Sequence, residues 1–218
     1  MLLGHYAVAL AAKRAAPRTS LGTLTAAAQW TDLIWPLLLF LGWESVRIDP
    51  GNTAFTPLAF DRYPFTHSMV AALAWGVILS GVYAWRTGRR RAAVWLGLTV
   101  FSHWVLDWVT HRADLQLAPG MPFRTGLGLW NSVPGTLAVE LALWIVGLWV
   151  YVHTTRPRDR VGGLGFWAYV TLLSVIYFGS AFGPPPPSAQ MVAWSALALW
   201  MFPMWAAWID RHRVCGNA

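Results

Sequence analysis

His103, Asp107 and His111 recur at intervals of four within SHWVLDWVTHR, Ser102 to Arg112. At 3.6 residues per turn, positions i, i+4 and i+8 share one helix face with a drift of about 40° per step. An imidazole and a carboxylate one turn apart can hold a hard or borderline cation. Mixed nitrogen and oxygen ligation makes zinc the default metal. The same spacing also suits a polar face that hydrogen-bonds to neighbouring helices, so spacing alone leaves both readings open. Asp32, His67, Glu140 and His5 raise the same question, because each sits in an apolar run. An ionisable group at mid-bilayer costs about 2.5–3.5 kcal/mol on insertion scales, and each therefore needs a reason to be there.

The elements that must position these groups follow from composition. Of 218 residues, 56% are hydrophobic and 11% charged, against roughly 25% charged in a soluble domain. That leaves too little polar surface for a soluble enzyme, and the pattern predicts an all-α, polytopic membrane bundle. Six segments reach the roughly twenty apolar residues that a spanning helix requires: Ser20 to Trp43, Pro64 to Trp85, Ala92 to Ala113, Pro134 to Thr154, Gly163 to Phe182 and Ser188 to Ile209. A seventh run, Leu2 to Ala12, is only about 16 Å long at 1.5 Å per residue. No Lys or Arg precedes it, unlike a signal peptide, so it is expected to stay as a short helix at the interface or half-inserted in the bundle. Residues 1–218 read as one integral membrane domain, with a motif-bearing part, 1–154, and an apolar helical part, 155–218. The single cysteine, Cys215, excludes a disulfide framework and a thiolate metal site.

The basic residues separate when loops are assigned alternately to two sides. Lys13, Arg14, Arg18, Arg86, Arg89, Arg90, Arg91, Arg156, Arg158, Arg160, Arg211 and Arg213 share one side, and Arg47, Arg62, Arg112 and Arg124 share the other with Glu44, Asp49, Asp61 and Asp114. The positive-inside rule makes the first side and the C-terminus cytoplasmic. The net charge of +7 is then a topology signal, and no nucleic-acid partner is expected. Depth along the spans puts Asp32 and His103 near mid-bilayer, Asp107 one turn further out and His67 at the outer rim. With His5 on an inserted half-helix, all could meet in one cavity open to the outer side.

The ordered set GHYAVALAAK, WTDLIWP, DRYPFTHS and SHWVLDWVTH resembles the bacterial family of inner-membrane metal-dependent hydrolases described as LexA-binding. The likeness covers about Met1 to Thr110. It implies a metal site in which His5 matches the N-terminal histidine and Asp32 the first acid of an acidic pair. Arg62, His67 and Ser68 match the second motif, and His103 and Asp107 the third. Ile34 stands where the family has its second acid and Asp61 where it has a histidine, which puts a two-metal site in doubt.

These readings lead to a metal-dependent hydrolase in the bacterial inner membrane with an outward-facing site. Its expected ligands are His5, Asp32, His67, His103 and Asp107, holding a divalent ion, most simply zinc. Glu140 or His111 would move the proton, and Arg62, Arg112, Asp61 and Ser68 would meet the substrate. Arginine suits a phosphate or carboxylate, and a site inside the bilayer suits a lipid or lipid-linked ester or phosphoester. The alternatives are a transporter or proton-coupled channel built on the same Asp, His and Glu groups, and a non-catalytic membrane adaptor.

Overall fold

A computed structural model of the protein describes residues 1–216. Its helices are α1 (Leu3–Ala15), α2 (Leu21–Ala28), α3 (Trp30–Phe40), α4 (Pro64–His67), α5 (Met69–Thr87), α6 (Arg90–Thr110), α7 (Val133–Thr154), α8 (Arg160–Phe182), α9 (Ala189–Leu197) and α10 (Met201–Arg211). Three antiparallel pairs of short strands join the loops: β1 (Ser45–Ile48) with β2 (Leu58–Arg62), β3 (Leu115–Gln116) with β4 (Arg124–Thr125), and β5 (Thr155–Pro157) with β6 (Arg213–Cys215). Side-chain caps set several helix starts. Ser20, Ser68, Ser132, Asp159 and Ser188 each accept a backbone N–H at the first turn of α2, α5, α7, α8 and α9, satisfying a donor the helix leaves unpaired.

Among the described residues, five helices are long and apolar enough to cross a membrane: α5, α6, α7, α8, and α9 continued through a 3-10 turn into α10. The burial pattern agrees with a lipid solvent. Val77 and Leu164 are 72% and 71% exposed, whereas His5 and Lys13 are 1% and 4% exposed. The first of the six expected spans is not among these five. The run from Ser20 to Trp43 is broken at Gln29, which leaves helical geometry with φ −102° and ψ 8°. The second piece carries Pro36 inside it, where the ring removes a donor and crowds the preceding turn. The expected span from Pro64 is also interrupted, because Ser68 is extended between α4 and α5. Both breaks fall beside site residues.

The short first helix is inserted, as one of its two expected positions had it. Leu3, His5, Tyr6, Leu10 and Lys13 of α1 are all buried, and its main neighbours are α7, α2 and α6. The contact with α7 runs over Gly147, where an added Cβ would come within 2.6 Å of the Ala7 Cα and carbonyl oxygen. Small residues at such crossings let backbones approach closely. The main core lies beneath this crossing, with Tyr6, Leu10, Trp144, Phe166 and Phe202 among its members.

The two expected loop sets gather at opposite ends of the bundle. At the basic end, the Lys13 ammonium meets Asp210 (2.8 Å), Thr19 hydrogen-bonds Tyr83 (2.8 Å), Arg89 donates to the Arg18 carbonyl (2.8 Å), and β5 pairs with β6. At the other end, the Phe55 N–H donates to the Trp130 carbonyl (2.9 Å) and Arg124 donates to the Asp114 carbonyl (3.0 Å).

Candidate metal centre

His103 projects from the middle of α6 toward the break between α2 and α3. Its Nδ1 lies 2.8 Å from the Ala28 carbonyl oxygen, so the network assigns the ring proton to Nδ1 and leaves a lone pair on Nε2. That nitrogen is buried without a hydrogen-bond partner. It faces Asp107 Oδ2 at 3.1 Å and Asp32 Oδ1 at 3.6 Å. Asp107 stands one turn along α6, and Asp32 enters from the first turn of α3.

His67 is arranged in the same way by different neighbours. It ends the single turn of α4, and its Nδ1 lies 2.6 Å from Thr66 Oγ1. The Thr66 hydroxyl donates to Glu44 Oε2 at 2.6 Å, so it accepts from the imidazole. The other Glu44 oxygen accepts the Phe65 and Thr66 backbone N–H groups. His67 Nε2 therefore also carries a lone pair, 3.2 Å from Asp32 Oδ1 and 3.7 Å from Asp107 Oδ2.

With both imidazoles neutral, two lone-pair nitrogens and two carboxylate oxygens face one another, all of them acceptors. Their nitrogen-to-oxygen separations of 3.1–3.7 Å are within the reach of ligands that share an ion at ~2.05 Å bonds. A cation at the middle resolves the repulsion, and the donor set fits zinc or another borderline divalent ion. Imidazoles fixed by a carbonyl on one side and a hydroxyl–carboxylate pair on the other are the usual outer support of such ligands.

His5 completes the cluster from α1. Its ring stacks on His103 at 3.6 Å between centroids, nearly parallel at 3°, and its Nε2 lies 3.1 Å from Asp107 Oδ1. The Met1 amine lies 2.7 Å from the same oxygen. Asp107 is thereby divided, with Oδ1 toward the chain start and Oδ2 toward the other histidines. Two overlapping groups have metal-ligand spacing, His5 with His103 and Asp107, and Asp32 with His67 and His103. All five expected ligands are therefore brought together.

The remaining expected residues divide. Glu140 lies on α7 with Oε2 accepting the Leu2 and Gly4 N–H groups (2.9 and 3.3 Å), capping α1, while Oε1 is buried without a partner. His111 departs from the expected helix face, because α6 ends at Thr110 and His111 is extended at φ −65° and ψ 147°. There its Nδ1 meets Asp114 Oδ1 (3.0 Å), which also accepts the Tyr63 hydroxyl (2.6 Å). Burial, reinforced by the Asp114 carboxylate, pushes the Tyr63 hydroxyl well above its ordinary pKa and keeps it a donor. Both Glu140 and His111 line a cavity of about 180 Å³ together with Asp32, His67 and Asp107, walled by Trp35, Phe60, Trp130, Tyr177 and Leu199.

None of the four expected substrate contacts lines that cavity. Asp61 accepts two hydrogen bonds from Arg47 (2.6 and 3.0 Å). Arg112 leans on Asp114 (3.4 Å) beside a separate outer recess, and Arg62 is exposed. Ser68 donates to the Pro64 carbonyl and caps α5. Sequence reasoning missed Glu44, Thr66, Tyr63 and Asp114. The Thr–His pair at 66 and 67 was a visible signal for one of them.

No protein-family model matches the chain, and no curated protein or solved structure matches it significantly. The likeness to the LexA-binding hydrolase family rests on the quoted motifs alone.

Proposed function

We propose that the protein is a membrane-embedded, metal-dependent hydrolase of lipid or lipid-linked esters or phosphoesters, with zinc as its ion. The observation that carries this reading is the convergence of four acceptors, His67 Nε2, His103 Nε2, Asp32 Oδ1 and Asp107 Oδ2, three of whose residues, Asp32, His67 and Asp107, line a cavity with further titratable groups. A divalent ion held there supplies a Lewis acid and brings a water's pKa toward neutrality.

The chain's own groups account for the rest of the reaction. With its Nδ1 proton directed at Asp114, His111 offers a basic Nε2 as general base. It takes a proton from the water as the water oxygen bonds to the acyl carbon or phosphorus. It returns that proton to the departing oxygen as the ester bond breaks, giving an acid and an alcohol. Glu140, with one oxygen fixed by α1 and the other free, orients the water. The aromatic walls exclude bulk solvent and strengthen each of these interactions. By the positive-inside rule the cavity faces the outer side of a bacterial inner membrane, with the C-terminus cytoplasmic.

The test is hydrolysis of fluorogenic ester and phosphoester lipids by the purified protein, before and after metal removal. Activity should vanish with a chelator and return with zinc. Activity indifferent to chelation would contradict the proposal.

A further inference from the structure

The cavity lined by Asp32, His67 and Asp107 measures about 180 Å³. A second cavity of about 470 Å³ adjoins it. The two share Phe55, Thr56, Leu58 and Ser180 in their walls, so a single layer of side chains separates them. Phe55 stands at this junction, its ring against Tyr177 at 5.9 Å between centroids.

The outer cavity lies where α8 and α9 part. The inner half of the last helix, α10, packs on α8 and α2, whereas its outer half, α9, packs on α3 and β1. The two helices diverge toward the proline turn Pro184 to Pro187. Ser180 and Ala181 form one wall, Val192 and Ser195 the other, and the loop Pro50 to Leu58 covers the top. The flanking surface faces lipid, with Phe182 and Trp194 both more than half exposed.

Charge then narrows the chemistry. Neither cavity has an arginine or lysine in its walls, and the inner one has three carboxylates, Asp32, Asp107 and Glu140. A divalent ion would offset two of those three charges. A phosphate ester would bring a further negative charge beside three carboxylates, with no arginine or lysine in the walls to meet it. An uncharged ester brings none, and the Thr56 and Ser180 hydroxyls, which both cavities share, suit its neutral oxygens, whereas Thr53 and Ser195 donate to the Thr56 and Val192 carbonyls.

We infer that the substrate is an uncharged acyl-ester lipid, of the acylglycerol type, that reaches the metal centre sideways through the gap between α8 and α9. This inference rests on the hydrolase reading and selects the carboxylic ester over the phosphoester. In the step, the water oxygen bonds to the acyl carbon, the bond from that carbon to the glycerol oxygen breaks, and the proton passes through His111 to that oxygen. The products are a fatty acid and an alcohol.

The full chain in nanodiscs, loaded with zinc, is assayed with a fluorogenic diacylglycerol and with a phosphodiester lipid of equal chain length. A photoactivatable acylglycerol, competed with its unlabelled form, maps the route. Support requires at least tenfold faster turnover of the acylglycerol and competed adducts on 178–182 and 191–195. Ser195→Trp should lower acylglycerol turnover at least tenfold while metal content stays unchanged, and Ser195→Ala should retain turnover. Faster hydrolysis of the phosphodiester overturns the substrate assignment and leaves the hydrolase reading intact. Competed adducts confined to other helices, or full turnover in Ser195→Trp, overturn the route. No turnover of either lipid at full metal loading overturns the hydrolase reading itself.

Discussion

At His103, four neighbours fix one ring: the Ala28 carbonyl holds Nδ1, the His5 ring covers its face, and the carboxylates of Asp32 and Asp107 meet Nε2. His67 has an equivalent support in Thr66 and Glu44. Loss of such outer partners typically costs 10–100-fold in metal affinity. Thr66→Val and Glu44→Gln should therefore each weaken zinc binding by about that factor in a chelator competition, without unfolding the protein. Unchanged affinity in both would show that the hydroxyl relay does not orient His67. The ligand types were legible because an ionisable residue in an apolar run is conspicuous. The relay was not, because Glu44 and Thr66 are 22 residues apart and meet only when the outer loop folds over α4. His111 misled for a local reason. Its spacing matches a helix face, and only the backbone geometry at residue 111 reveals that the helix has ended.

Among elements, the pieces most visible in the sequence were the long helices. The starts and ends of α7 and α8 lie within a few residues of the hydropathy boundaries. The breaks at Gln29 and Ser68 were hidden, since each interrupts a run whose average hydropathy does not change. Both breaks place candidate ligands, one giving His103 its carbonyl and the other ending α4 at His67. Insertion of α1 depends on Gly147. Gly147→Leu should overpack the α1–α7 crossing and destabilise by about 1–3 kcal/mol, whereas Gly81→Leu, where a Cβ meets nothing within 4 Å, should be close to neutral. Thermal unfolding in detergent compares the two, and equal stability would contradict the packing account.

The α7–α8 turn carries a pH signature. A hydrogen bond from His212, with the Gly162 N–H beside it, holds the Asp159 carboxyl below its ordinary value. A depressed carboxyl contributes stability that is present above its unfolded pKa of about 3.9 and is lost as pH falls through the folded value. The thermal midpoint should therefore drop more steeply from pH 5 to pH 3 in the wild type than in Asp159→Asn. Parallel slopes would refute this.

For the whole molecule, the scarce charge falls into two populations. Most basic side chains gather at one end of the bundle, and the acids and histidines inside the spans gather around α3, α4, α6 and α7 near the other. The division was legible in the sequence because loop charge and buried charge obey different costs. The cavity walls were not, since Tyr177 and Ser180 come from α8 and Leu199 from the turn between α9 and α10, all in the apolar half of the chain. Alkaline phosphatase fused after Pro185 should be active, and the same enzyme fused after Arg158 inactive. The reverse pattern would turn the cavity toward the cytoplasm.

The most direct test of the central claim is the metal content of the purified chain beside His103→Ala and Asp107→Asn. The four converging acceptors predict about one zinc per chain in the wild type and none retained in either variant, with helical content preserved. Equal, substoichiometric metal in all three proteins would contradict the account.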